Sequence, residues 1–202
     1  MPEISTETVS FAANGADAPG YLALPGDGGP HPGVVVIQEV WGVDEHIKDV
    51  TRRFANEGFV AVAPDLYRGK IAIDIEEARK IRMEMQFDQA MLDLQGALDF
   101  LKGRDDVTPK KLGVIGFCMG GSLTQQIALR SADVGAAAAY YGGRGAPSPE
   151  EMAAIPLRTA RALWRGGSGH PAGDRRCAAQ RARRRGPAPR DRGLPGRAAR
   201  LL

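Results

Sequence analysis

The stretch Gly113-Val-Ile-Gly-Phe-Cys-Met-Gly-Gly-Ser122 leaves this chain few ways to fold. Leu112 to Ile115 is a short apolar run, long enough for one buried strand. Gly116-Phe117-Cys118-Met119-Gly120 follows with the form G-x-C-x-G, and Leu123 and Ile127 then fit one face of a helix that starts at Gly120. Strand, five-residue bend and helix are the setting of a nucleophile elbow, whose central residue sits on a strained turn and stands clear of the sheet. The residues two before and two after must be tiny, because strand and helix backbones nearly touch there. The new helix aims its free amides and positive dipole end at the sulfur, a setting that favours thiolate over thiol. Two plainer readings compete. A cysteine is often a small core residue, and a Gly-rich strand-to-helix turn can hold a dinucleotide. The second would need G-x-G-x-x-G, which is not the spacing here.

Around this bend, strands and helices alternate. Glu7 to Phe11 alternates like an edge strand, Asn14-Gly15 begins a turn, and Gly20 to Leu24 is a second strand, so the chain opens on an antiparallel hairpin. Gly33-Val-Val-Val-Ile37 is continuous and β-branched, as a strand buried on both faces must be. Gln38-Glu39-Val40-Trp41-Gly42 leaves its carboxyl end, and Asp44 caps a helix over Glu45 to Glu57 that Gly58 stops. Phe59 to Ala63 is the next strand, with Pro64-Asp65-Leu66-Tyr67 as its loop. Asp74 and Glu77 start a helical stretch that runs to about Lys102 with a break near Phe87-Asp88. Val134 to Tyr140 is a further strand, ended by Gly142-Gly143. The alternation predicts a mostly parallel sheet with helices on both faces, and functional groups at the carboxyl ends of its strands. Glu39 and Cys118 each leave such an end, so they can meet across one pocket.

The length of 202 residues suits one domain. No stretch approaches the roughly 18 apolar residues of a membrane span, and the polar start Met1 to Thr8 lacks a secretory pattern, so a cytoplasmic setting is expected. Cys118 and Cys177 make no disulfide framework, and the scattered His31, His46 and His170 suggest no metal site. The net charge of +3 averages two unlike regions: residues 1–156 carry a balance of −8, residues 157–202 one of +11. The second region holds 13 arginines, no lysine, and only Asp174 and Asp191 as acids.

Four segments, in order, resemble the dienelactone hydrolase family, the α/β-hydrolases with cysteine in place of serine. They are Gln38-Glu39-Val40-Trp41-Gly42, Ala63-Pro64-Asp65-Leu66-Tyr67, Gly116-Phe117-Cys118-Met119-Gly120-Gly121 and Tyr140-Tyr141-Gly142. The similarity covers about residues 5–155. It implies an α/β-hydrolase fold acting on a small ester or lactone, as a carboxymethylenebutenolidase does, without cofactor or metal. In that family Cys118 attacks the ester carbonyl and Glu39 helps generate the thiolate. The amides of Val40 and Met119 form the oxyanion hole, each donor worth about 3 kcal/mol. Trp41 and Tyr67 line the pocket or pack beside it, Asp65 ties its own loop, and His46 suits a cap or surface position. Arg79 and Arg82 are candidates for a substrate carboxylate, although a solvated helix face suits both better.

The resemblance stops at the arginine-rich region. The family places an acid and then a histidine base after the nucleophile, near positions 166 and 197 here. The one histidine after Cys118 is His170, which precedes Asp174, so the order is reversed. From Arg158 on no apolar run has strand length, and Arg, Ala, Gly and Pro dominate, a composition that cannot bury enough surface to order itself. The expectation is a truncated hydrolase domain over 1–156, with Val134 to Tyr140 as an exposed sheet edge. The segment 157–202 is then disordered or translated out of frame, the reading frame having been lost near Ile155-Pro156. A binding role for that basic segment on nucleic acid competes, but it lacks aromatic interleaving and the rest of the chain is acidic.

Overall fold

The computed structural model describes residues 3–13, 15–143, 148, 150 and 151, and the backbone of 161–165. Seven strands form one sheet: β1 (Ser5–Ala13), β2 (Ala16–Leu24), β3 (Gly33–Ile37), β4 (Val60–Pro64), β5 (Leu112–Phe117), β6 (Val134–Tyr140) and β7 (Arg161–Arg165). Their spatial order is β1-β2-β4-β3-β5-β6-β7. β1 and β2 make an antiparallel hairpin, and β2 joins β4 antiparallel. Every pairing from β4 through β7 is parallel. Among the described residues these helices connect them: α1 (Glu45–Asn56), α2 (Ile75–Glu84), α3 (Phe87–Gly103) and α4 (Met119–Arg130).

The all-apolar runs are the central strands. Every residue of β3 and of β4 is buried, which requires cover on both faces. Val35, Ile37, Val60, Val62 and Val114 face α3 and α4, packing with Leu94, Leu98, Leu101, Leu123 and Ile127. Val34, Val36, Ala61, Ala63 and Ile115 face α1, packing with Ile47, Val50 and Phe54. This is the doubly covered, mostly parallel sheet of an α/β-hydrolase. Among the described residues no helix is long and apolar enough to cross a membrane.

Local signals set the helix ends. Asp44 accepts from the amide of Ile47 at 3.0 Å and opens α1. Asp74 accepts from Glu77 while the Glu77 carboxylate accepts from Ile73, closing the first turn of α2 from both sides. The expected break near Phe87 lies at Met85-Gln86, both in extended backbone.

The carboxyl-terminal edge differs from expectation. The sheet does not end at β6, because β7 pairs parallel with it from Ala136↔Arg161 to Tyr140↔Arg165. A strand therefore stands inside the segment 157–202 in which none was expected. Arg161-Ala-Leu-Trp-Arg165 has too short an apolar centre to announce a strand by pattern. The open backbone hydrogen-bonding row of β6 supplies the template, so Val134 to Tyr140 is not the edge of the sheet it was expected to be.

Candidate active site

The site is built on a backbone contact. A Cβ placed on Gly116 would stand 2.2 Å from the carbonyl oxygen of Gly120, and one on Gly120 would stand 2.5 Å from those of Ile37 and Gln38. Real Cβ atoms do not approach backbone so closely, so only glycine lets the end of β5, the start of α4 and the end of β3 come together. Cys118, between them, has φ 53° and ψ −115°, a conformation that costs a non-glycine residue on the order of 1–3 kcal/mol. It is half-buried, with its amide donating to the carbonyl of Tyr140 at 3.0 Å. α4 begins at Met119, one residue earlier than its apolar spacing suggested. The amide of Met119 thus belongs to the helix N-terminus, where N–H groups lack partners inside the helix.

Glu39 and Val40 follow β3, the strand beside β5, and both are half-buried. A single bridge between Glu39 and Gly42 folds this loop back on itself. Gln38 anchors it: fully buried, its Oε1 accepts from the amide of Leu66 at 3.1 Å, tying the loop after β3 to the loop after β4. Asp65 holds that second loop, accepting from the amides of Tyr67 and Gly69, as expected of a residue tying its own turn. The buried Asp93 of α3 pairs with Arg68 at 2.9 Å and braces the loop from outside.

Two phenols stand at the cleft. Tyr67 is buried, and its hydroxyl meets the Met119 sulfur at 3.5 Å. Burial pushes it up to about 12, against the opposing pull of the Arg82 charge and with a smaller upward push from Cys118. Tyr141, at φ 38°, donates its hydroxyl to Glu39 Oε1 at 2.9 Å. Burial first, then the bond to Glu39, then the charges of Glu39 and Cys118, raise it to about 12. Both tyrosines therefore sense Cys118, and Tyr141 senses Glu39 as well. The ends of β3, β5 and β6 converge here.

Of the remaining candidates, Trp41 is half-buried and packs against the core. Arg79 pairs with Glu76 on an exposed face of α2. Arg82 is exposed too, as a solvated face of α2 requires, and its charge opposes the upward push on Tyr67. His46 is exposed in the first turn of α1, and His31, ahead of β3, bonds Asp27 at 2.6 Å. His170, Cys177 and the expected acid and base positions near 166 and 197 lie outside the described residues. Among the described residues no three His, Cys, Asp or Glu side chains gather to hold a metal. Tyr141, which the sequence reading quoted in a motif without a role, also stands at this site. Its signal was position: it follows β6, next to the elbow strand.

The model of the dienelactone hydrolase family matches residues 18–164, reaching nine residues beyond the similarity visible in the motifs. The chain is 41% identical over 143 residues to "Protein usf" of Aquifex pyrophilus, covering 67% of this chain and 61% of that one. It is 36% identical over 159 residues to the "Putative carboxymethylenebutenolidase" of Methylorubrum extorquens, covering 70% and 55%. The matches thus span between about half and three fifths of the length of the curated relatives. The crystal structure of a "Putative Dienelactone Hydrolase" from Klebsiella pneumoniae superposes with a TM-score of 0.72 at 30% identity, covering 90% of this chain and 81% of that one. The chain belongs to the dienelactone hydrolase family.

Proposed function

We propose that the chain cleaves the ester bond of a lactone or small carboxylic ester through a thioester on Cys118. The observation that carries this reading is the left-handed backbone of Cys118, held between two glycines that tolerate no side chain. Strain of that kind at a helix start suits a side chain that must face a cleft.

In this reading the thiol proton passes to the Glu39 carboxylate and the thiolate attacks the carbonyl carbon. The carbonyl electron pair moves to oxygen, where the amides of Val40 and Met119 meet the developing charge. Collapse of the adduct breaks the ester C–O bond. The alkoxide takes the proton from Glu39, which returns to the carboxylate, and a thioester remains. Its hydrolysis needs a base to deprotonate water. The two described histidines do not supply one, since His46 is exposed on α1 and His31 bonds Asp27 ahead of β3. His170 precedes Asp174, against the family order, so in this reading acylation outruns deacylation and the chain turns over slowly.

Mixing the chain with p-nitrophenyl acetate tests the reading. The expected result is release of about one equivalent of p-nitrophenol, followed by a much slower phase, with the acetyl group on Cys118 by peptide mass spectrometry. Cys118→Ala removes the burst. A sustained linear rate, or a burst that survives Cys118→Ala, overturns it.

We assign the arginine-rich segment to a change of reading frame. The disappearance of lysine and the reversal of charge support this. The family match reaches residue 164 and β7 reaches Arg165, so we place the change beyond them rather than near Ile155-Pro156. The hydrolase domain then extends past 156. The gene's nucleotide sequence decides: an alternative frame downstream of β7 should encode an Asp loop followed by a Gly-His loop. If no frame does, the assignment fails.

A further inference from the structure

We propose that Tyr141 is a positioning residue that holds the Glu39 carboxylate at the Cys118 thiol. The inference rests on the reading of Cys118 as nucleophile and Glu39 as its proton acceptor. Tyr141 is 48% exposed, so its place is not the passive result of core packing. Its backbone is nevertheless in the left-handed region at φ 38°, where a bulky residue is a genuine outlier. The strain sets the direction of one group: the hydroxyl, which donates to Glu39 Oε1 at 2.9 Å across 102 positions of sequence.

The surroundings hold the backbone and the ring that carry that hydroxyl. The preceding carbonyl, Tyr140 O, accepts from the Cys118 amide at 3.0 Å, so the elbow and the tyrosine share one backbone support. The Tyr141 ring meets the ring of Phe117, the residue before Cys118, with centroids 6.2 Å apart. Behind it, a Cβ on Gly142 would stand 2.7 Å from the Gly121 carbonyl carbon, so the chain is pressed against the start of α4. A glutamate side chain on a loop has several rotamers of similar energy. Among the described residues no cation pairs with Glu39, so the phenol is what selects among them.

The chemistry divides the carboxylate in two. Oε1 is occupied by the Tyr141 hydroxyl, and Oε2 is left to accept the thiol proton. When it does, the Cys118 S–H bond breaks, an O–H bond forms on Glu39, and the electron pair stays on sulfur. The phenol keeps its own proton throughout, because burial and the bond to Glu39 hold it up to about 12.

The test is a double-mutant cycle on the full chain, in a Cys177→Ser background so that one thiol remains. The rate of Cys118 alkylation by iodoacetamide is measured in the parent, Glu39→Gln, Tyr141→Phe and the double variant. Phenylalanine keeps the ring and changes an exposed position, so the fold is retained, which equal thermal midpoints check. The expected result is that Tyr141→Phe slows alkylation about threefold or more when Glu39 is present and has no effect once Glu39 is glutamine. A Glu39-dependent rate that Tyr141→Phe leaves unchanged, or slows equally in both backgrounds, overturns the inference alone. An alkylation rate that Glu39→Gln does not alter overturns the role of Glu39 itself, and the inference with it.

Discussion

The elbow and the acidic loop are neighbours in the cleft but are held by different means. The elbow is fixed backbone to backbone: Gly116 against Gly120, and Gly120 against the carbonyls of Ile37 and Gln38. The loop of Glu39 has backbone holds further on, the Glu39–Gly42 bridge and the Ala72 amide on the Trp41 carbonyl at 3.0 Å, but its two ties to neighbouring loops at Gln38 and Glu39 run through side chains: Gln38 to Leu66, and Tyr141 to Glu39. A backbone contact is set by sterics and cannot adjust. A side-chain bond can be lost with little movement of the chain, at the cost of whatever polar group is left unpaired. The part that carries the sulfur is rigid and the part that manages its proton is adjustable.

The contrast is broken most severely at Gly120. A methyl there meets two carbonyl oxygens at 2.5 Å, and three elements would have to separate to admit it. Gly120→Ala is expected to destabilise the chain by about 3 kcal/mol, the upper end of overpacking penalties. Urea unfolding measures it, and a loss below about 1 kcal/mol would show that the elbow is less tightly closed than the glycine contacts require.

A smaller effect is expected on the other side of the comparison. Gln38 is fully buried, and its Oε1 is the acceptor for the Leu66 amide. Gln38→Leu keeps most of the volume and leaves that amide unsatisfied, which costs about 2 kcal/mol. Its Nε2 has no hydrogen-bond partner among the described residues, so part of the loss is offset by removing a second unsatisfied group. The substitution should loosen the Glu39 loop more than the elbow. Hydrogen exchange should therefore quicken at Val40 to Gly42 while the amides of β5 stay protected. Equal quickening in both would merge the two regions into one cooperative unit.

The same division explains what was legible in the sequence. β3 has the bounds read from its apolar run, Gly33–Ile37, because a doubly covered strand must be apolar throughout; β6 also keeps its bounds, Val134–Tyr140, although only Val134, Ala137 and Ala139 of it are buried. The elbow was legible because glycine spacing is local and its steric reason is local. β7 was not, because Arg161-Ala-Leu-Trp-Arg165 owes its strand to the open row of β6 and not to its own pattern. Tyr141 was quoted in a motif without a role. Its partner lies 102 positions away, and only the meeting of the ends of β3 and β6 gives the hydroxyl something to hold. The anchoring role of Gln38 was hidden for the same reason.

The two cleft phenols offer the finest test, because one is raised by surroundings alone and the other partly by Glu39. Both stand at about 12, well above the ordinary tyrosine value of 10. A phenol whose pKa is higher in the folded chain binds its proton more tightly there than in the unfolded chain. Its contribution to stability is whole below pH 10 and is lost as the pH climbs through about 12, so the urea midpoint should fall across that window. Removing the Glu39 charge separates the pair. In Glu39→Gln the hydrogen bond and like charge that raise Tyr141 weaken, and its titration moves back toward 10, while burial, its largest cause, keeps it from arriving there. Tyr67, raised chiefly by burial with Glu39 not among its causes, should stay near 12. Tyrosinate absorbance in parent and variant resolves this as one moving step and one fixed step. If both steps move, the cleft responds as a single electrostatic unit, and the side-chain hold on Glu39 is not separable from the packing around the elbow.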